Sequence, residues 1–317
     1  MADESQRAIG ESIGVPVAKR HIFLCCDQTN PKCCEKERGL AAWDFLKRRL
    51  KELGVPPPAN SRLGRAPELM RTLNADPQRL AKATPQRRLL AEAQRTALEF
   101  IGIARSINPR AASLPNVLRK KLARAYGGAD DPADDTDRTF VARNTQFELW
   151  IAAWLTAGQK QVRMCEPDVQ VAQWFQWRGI AVKRIRSQAQ ILKRVKEAAA
   201  QVKEHTATGF VALALDNYSV RRRIRTRTDL EVGSRFFASY PEIDQANAYL
   251  AASAPWVRGL LCFGHHARWL PDRGRPSLQM SNLVQIYQLP TDEAEADQLN
   301  AFFEEQRTAF NEAWRKF

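Results

Sequence analysis

Between residues 40 and 126 apolar side chains recur at helical spacing, and after residue 137 the pattern alternates between helix-length stripes and short strand-like runs. Leu40, Trp43, Leu46, Leu50 and Leu53 form a stripe that predicts an amphipathic helix, closed by Gly54 and by Pro56, Pro57 and Pro58. Residues 84–106 and 114–126 carry similar stripes on a basic background, interrupted around Asn108 and Pro109. Residues 55–84, rich in Pro, Arg and Asn, read as a linker with short helices. The stretch from Gly127 to Thr136 combines Gly, Pro and four Asp, which predicts a solvated acidic linker over 127–137 and a domain boundary there.

Beyond that boundary the pattern predicts a helix over 145–157, strands over 161–165 and 179–185, a helix over 188–205 and a strand over 209–215. Two further strands over 257–265 and 278–288 and a terminal helix over 291–315 complete it. Alternation of helix and strand predicts an α/β sandwich, with the basic helical region 55–126 as an auxiliary module. Residues 1–20 are polar and read as a disordered tail, and 21–25 as a short strand.

Charge narrows the choice of partner. The chain of 317 residues has a formal net charge of +14, an excess that favours a polyanion. Arg184, Arg186, Lys193 and Arg194 lie at and beyond the end of the strand at 179–185, and Arg221, Arg222, Arg223 and Arg225 follow the strand at 209–215. Cations so clustered neutralise phosphates without reading sequence, and a nucleic acid, DNA in the first instance, is the expected partner. The longest apolar run, 149–155, is too short to span a bilayer, and the opening Met-Ala-Asp-Glu-Ser lacks the basic and apolar regions of a secretory signal. Six cysteines without such a signal read as reduced thiols or metal ligands, and a cytoplasmic location is expected.

Candidate chemistry lies in an ordered set: Glu148 on the first predicted helix, Pro167-Asp168 after the first strand, and Lys183 in the second strand. Hydrolysis of a phosphodiester calls for a hard divalent cation, Mg²⁺ or Mn²⁺, held by carboxylate oxygens, with an ammonium beside the attacking water. Asp168 and Glu148 are suited to hold the ion and Lys183 to serve the water. Each also has a structural reading. Thr145-Gln-Phe-Glu148 is a capping-box sequence, and Pro-Asp is a common turn dipeptide. Trp150 and Trp154 read as core, and Cys262-Phe-Gly-His-His266 and Asp216 as strand and strand-terminal residues.

The segments Arg143-Asn-Thr-Gln-Phe-Glu148, Glu166-Pro-Asp168 and Ala181-Val-Lys183-Arg-Ile-Arg-Ser187 together resemble the PD-(D/E)XK nuclease superfamily over residues 138–290. The resemblance implies a restriction-endonuclease-like sandwich and a metal-dependent nuclease. The family pattern has Glu, Asp or Gln two residues before the lysine, where this chain has Ala181. Some members carry the missing acid on the following helix, a position that corresponds to Glu197. Another branch uses Gln-x-x-x-Tyr on that helix, echoed by Gln201 and His205. Glu197 lies away from the apolar stripe of Ile191, Val195, Ala199 and Val202 and also reads as a solvated charge.

Cys25, Cys26, Cys33 and Cys34 sit between the strand at 21–25 and the first helix, and residues 21–54 resemble the opening of thioredoxin-like 2Fe–2S ferredoxins. No cysteine follows until Cys165, so the second ligand pair of such a domain is missing and a cluster is not expected. Two other functions remain beside the nuclease: a catalytically inactive nucleic-acid-binding module on the same fold, and an iron–sulfur or other metal-binding redox protein. If the basic clusters contact phosphates, reversing Arg221, Arg222 and Arg223 to Glu weakens DNA binding alike on unrelated sequences, and binding falls steeply with salt. An affinity that ignores a severalfold rise in salt contradicts that assignment.

Overall fold

The computed structural model describes residues 36–75, 84–106, 115–130, 134, 136–158, 160–173, 176–215, 240–272 and 275–315. The predicted tail, the strand at 21–25, the cysteine loop, Asp216 and the cluster Arg221, Arg222, Arg223 and Arg225 lie outside the described residues. The fold is mixed α/β. Helices α1 (Lys36–Glu52), α2 (Arg62–Ala75), α3 (Thr84–Ser106), α4 (Asn116–Ala125) and α5 (Asp137–Ala157) precede the sheet. Strands β1 (Val162–Arg163), β2 (Val169–Gln173) and β3 (Gln176–Arg184) then lead into α6 (Ile191–His205) and β4 (Gly209–Ala214). Helix α7 (Pro241–Ser253), the hairpin β5 (Val257–Asp272) and β6 (Arg275–Gln288), and α8 (Glu293–Arg315) complete the chain.

The six strands lie side by side in chain order. Pairing is antiparallel from β1 to β3, parallel from β3 through β4 to β5, and antiparallel again from β5 to β6. The parallel steps are crossovers through α6 and α7, as parallel neighbours require. Strands β3, β4 and β5 are covered on both faces, so their residues alternate between two cores. Ile180, Val182, Phe210, Ala212, Leu261 and Phe263 pack on the side of α5, and Ala181, Val211, Leu213, Leu260 and Cys262 on the side of α6 and α7.

Helix α5 holds the molecule together. Phe147, Leu149, Trp150, Ile151, Ala153, Trp154 and Leu155 are all buried, so most of the helix circumference is apolar and must be enclosed, while the row of Val141, Glu148, Ala152 and Thr156 stays within reach of solvent. It touches α3, α4, α8 and strands β1 to β3. Phe263 from the sheet meets Phe147 and Trp154 edge-on, with centroids 5.6 and 5.2 Å away. Behind α5 the helical layer continues the same core: Leu46, Leu50, Leu63, Leu90, Phe100 and Leu122 belong to one apolar cluster with the sheet. The stretch expected as a solvated linker therefore parts no cores. Within it the Gly127 and Ala129 carbonyls accept from Arg62 and Arg143, and Asp130 pairs with Arg65.

Several boundaries move. α5 begins at Asp137, eight residues before the expected start, so Thr145 is not an N-cap; its hydroxyl donates to the Val141 carbonyl one turn back. The capping-box reading of Glu148 fails with it. Residues 170–178, which lie between the two expected strands, contain most of β2, and the first strand shrinks to Val162–Arg163. Residues 55–84 include a 14-residue helix, and α7 was not anticipated. Gly54 does end α1: at φ 69° it allows the Val55 and Gly54 amides to reach the Leu50 and Lys51 carbonyls. No helix among the described residues is long and apolar enough to cross a membrane.

Between α2, α3, α5 and β3 lies a buried polar set. Glu92 accepts from Arg62, Arg95 and Arg143, at 3.2 and 2.6 Å for the first two. Glu99 accepts from Arg184 at 3.3 Å and from Gln146. All of these side chains are at most 5% exposed. Arg184 was expected to bind nucleic acid; strand alternation instead points it into this interior, across the ring of Phe147. Removing one charge from such a set leaves its partners buried and uncompensated. Glu92→Gln is accordingly expected to lower the unfolding free energy by about 3–5 kcal/mol, read as a lower urea midpoint; a wild-type midpoint would contradict the role assigned to Glu92.

Candidate active site

Strand β2 starts at Val169, opposite Ile180, whereas β3 runs on to Arg184 against β4. From Ala181 onward β3 thus lacks a neighbour on its β2 side. The amides of even-numbered residues face that open edge, because the odd-numbered Gly179 and Ile185 donate toward the β4 side. Two side chains fill the missing pairings. The Val182 amide donates to Asp168 Oδ2 at 2.8 Å, and the Arg184 amide to Asn144 Oδ1 at 3.2 Å. Buried amides require such partners.

Asp168 is brought there by Pro167, which packs on β3 at Gly179: a Cβ at that position would lie 2.8 Å from the proline ring. Carrying the β2–β3 register one step further sets Asp168 opposite Ala181, on the face of the sheet that also carries Lys183. Lys183 Nζ stands 3.6 Å from Asp168 Oδ2 and donates to Gln201 Oε1 of α6. Gln201 in turn donates through Nε2 to the Pro167 carbonyl at 3.0 Å. Pro167, Asp168, Lys183 and Gln201 form one linked group.

Glu148 approaches from α5, on the other side of the sheet. Its carboxylate takes the ammonium of Lys121, from α4. Its charge is felt at Asp168, whose carboxyl is pushed up to about 6, first by burial and then by Glu148, against the lowering effects of Lys183, the Val182 amide and Lys121. The Asp168 and Lys183 side chains are 15% and 18% exposed, so the group sits in a recess that solvent still reaches.

Of the residues singled out from sequence, Glu148, Asp168, Lys183 and Gln201 converge. Glu197 does not join them by any contact: it pairs with Arg194 at 2.8 Å, both side chains 40% exposed. Of the two substitutes for the acid missing at Ala181, Gln201 is the one that touches Lys183. Ala181 itself is fully buried among apolar residues beneath α6 and α7. Arg186 lies 5.3 Å from the Phe140 ring and is part-buried, and Lys193 is exposed. Sequence reasoning missed Lys121 and Asn144. Lys121 borders the apolar stripe of α4 and Asn144 lies four residues before Glu148, so both were legible only once α4 and α5 were known to pack together.

Among the described residues no group of three or more His, Cys, Asp or Glu side chains stands ready to hold a metal ion. Two carboxylates, Glu148 and Asp168, are what this recess offers, together with the Val182 carbonyl, which faces the same open edge as its amide. That set suits Mg²⁺, which is commonly bound through one or two carboxylates and completes its shell with water and substrate phosphate. No protein-family model, curated protein or solved structure matches the chain.

The raised Asp168 pKa has a sign for stability. The folded state holds a proton on this group between about pH 4 and 6 that the unfolded chain has released, so its contribution falls as pH rises through that window and is level above it. Asp168→Asn removes the titration while keeping an acceptor for the Val182 amide. The variant is expected to gain on wild type by about 2–3 kcal/mol between pH 4 and pH 7 in urea unfolding. A difference that stays constant across that range would show the carboxyl to be unperturbed.

Proposed function

We propose that the chain is a metal-dependent nuclease of the PD-(D/E)XK type, with a restriction-endonuclease-like core, hydrolysing phosphodiester bonds of DNA. The observation that carries this reading is the meeting of Glu148, Asp168, Lys183 and Gln201 at the open edge of β3, from four separate elements. Groups spread over more than fifty residues of sequence have no packing reason to gather at a solvent-reached recess, and a perturbed carboxyl such as Asp168 beside an ammonium favours catalysis.

In this reading Asp168 and Glu148 hold Mg²⁺ or Mn²⁺, which when bound polarises the phosphate and lowers the pKa of water. Lys183 orients the attacking water and offers positive charge to the phosphate oxygens as attack proceeds. Gln201 fixes Lys183 by accepting one of its protons while anchored to the Pro167 carbonyl. The amide of Val182 holds one Asp168 oxygen and leaves the other for the metal.

A second reading, a nucleic-acid-binding module without catalysis, has one observation in its favour. Opposite Asp168 the site presents the methyl of Ala181, not an oxygen. Iron–sulfur or other redox chemistry would rest on Cys25, Cys26, Cys33 and Cys34, outside the described residues; Cys165 and Cys262 are both free thiols.

Plasmid nicking with Mg²⁺ or Mn²⁺ separates the readings. Wild type should cut, Asp168→Asn and Lys183→Met should each lose at least about 100-fold while still binding DNA, and Glu197→Gln should cut like wild type. Gln201→Ala should fall between, through a mispositioned Lys183. Absence of metal-dependent cleavage of single- and double-stranded DNA and RNA by a protein that binds them would sink the nuclease and leave the binding module.

A further inference from the structure

Helix α4 lies outside the region that resembles a nuclease, yet it delivers Lys121 to Glu148. Its sequence, Asn-Val-Leu-Arg-Lys-Lys-Leu-Ala-Arg-Ala, has four cations and no acid. Leu118, Leu122 and Ala125 face the core. At 3.6 residues per turn, Lys121, Arg124 and Lys120 step away from that apolar face on one side, at roughly 70°, 130° and 170°, and Arg119 lies roughly 90° to the other side. Arg119 is on the flank toward the end of α1, within 3.8 Å of where a side chain on Gly54 would begin. The site is on the opposite flank, because that is where Lys121 finds Glu148.

Lys120 and Arg124 are exposed, and neither has an acidic partner among the described residues. Val117, on the same flank, is 53% exposed. A row of cations that begins with Lys121 at the site carboxylates and runs outward to Lys120 and Arg124, with no acidic partner for those two among the described residues, has charge to neutralise. An extended polyanion crossing the recess does so along its length, one phosphate per cation, releasing condensed counterions.

We propose that Lys120, Lys121 and Arg124 form a phosphate rail, along which α4 holds the DNA backbone as it enters the recess, with Lys121 passing from Glu148 to a phosphate when substrate and metal arrive. The proposal rests on the reading of the recess as a phosphodiester site. It places substrate binding on the basic helical region in front of the sheet, beside the clusters that follow the strands. The contacts are to backbone and carry no base preference.

The test is fluorescence anisotropy of the full-length protein with a short duplex in EDTA, over a series of salt concentrations, with near-UV dichroism to establish that each variant is folded. Lys120→Ala/Arg124→Ala should weaken binding equally on unrelated sequences and reduce the slope of log K against log salt by about 2, close to one unit per phosphate contact. Arg119→Ala, on the other flank, should leave the slope as in wild type. A double variant with wild-type slope, an Arg119→Ala loss as large as that of the double variant, or a wild type that does not bind the duplex overturns the rail. Because EDTA uncouples binding from cleavage, a protein that binds with this pattern and never cuts sinks the nuclease and not the rail. Cutting by a protein whose slope ignores Lys120 and Arg124 sinks the rail alone.

Discussion

Three guanidinium groups meet one carboxylate, that of Glu92, where water hardly reaches. Charges so buried have to be matched by near-ideal partners, and replacing such a set with apolar side chains often costs little free energy. What the network supplies is therefore geometry. Arg62 spans Glu92, Thr96, Gln146 and the last carbonyls of α4, so the end of α4, where the helix dipole is negative, docks against α2 and α3 in one way. Arg143 ties α5 to Glu92 and Gln146 ties it to a second buried carboxylate, Glu99, to which Arg184 ties the end of β3. The elements that carry Lys121, Asn144, Glu148 and Lys183 are all fixed by charges that have nowhere else to go.

The sheet supplies the complementary constraint. Because β2 begins only at Val169, the final residues of β3 have backbone groups that no strand satisfies, and Asp168 and Asn144 stand in for the absent neighbour. The same shortfall leaves a gap beside β3, where Lys183 reaches Asp168 from one face and the charge of Glu148 reaches it from the other. A β2 longer by two residues would close that gap with ordinary ladder bonds and separate the two groups.

Much of this was legible in the residues. The extent of α3, the stop at Gly54, the buried Trp150 and Trp154, and the strand carrying Lys183 followed from period and turn chemistry, because those features are local. Asp168, Lys183 and Glu148 were singled out from their order along the chain and Gln201 from the resemblance to one nuclease branch, since short-range order along the chain survives in the order of the elements. What failed depended on tertiary context. Thr145 and Glu148 form a capping box in isolation, but α5 extends a further two turns, and Arg143 in that extension is held by Glu92 and the Ala129 carbonyl. Arg184 was grouped with surface cations because a strand buried on both faces gives no sign of which neighbour its odd polar residue meets. Glu197 and Gln201, one turn apart on the same helix, were distinguished only by how far along β3 the helix returns.

The buried girth of α5 ties the sheet to the helices before it. The helix bearing Asn144 and Glu148 sets Phe147, Trp150, Ile151, Trp154 and Leu155 in one core shared by both layers. Amide protons at the open edge of β3 should then exchange only as fast as the helical layer lets go. Local breathing, which elsewhere frees a loop, would here expose tryptophans. The recess thus shares its support with the helical layer, and the arrangement of Glu148 and Asn144 is held by core residues far from the open edge of β3.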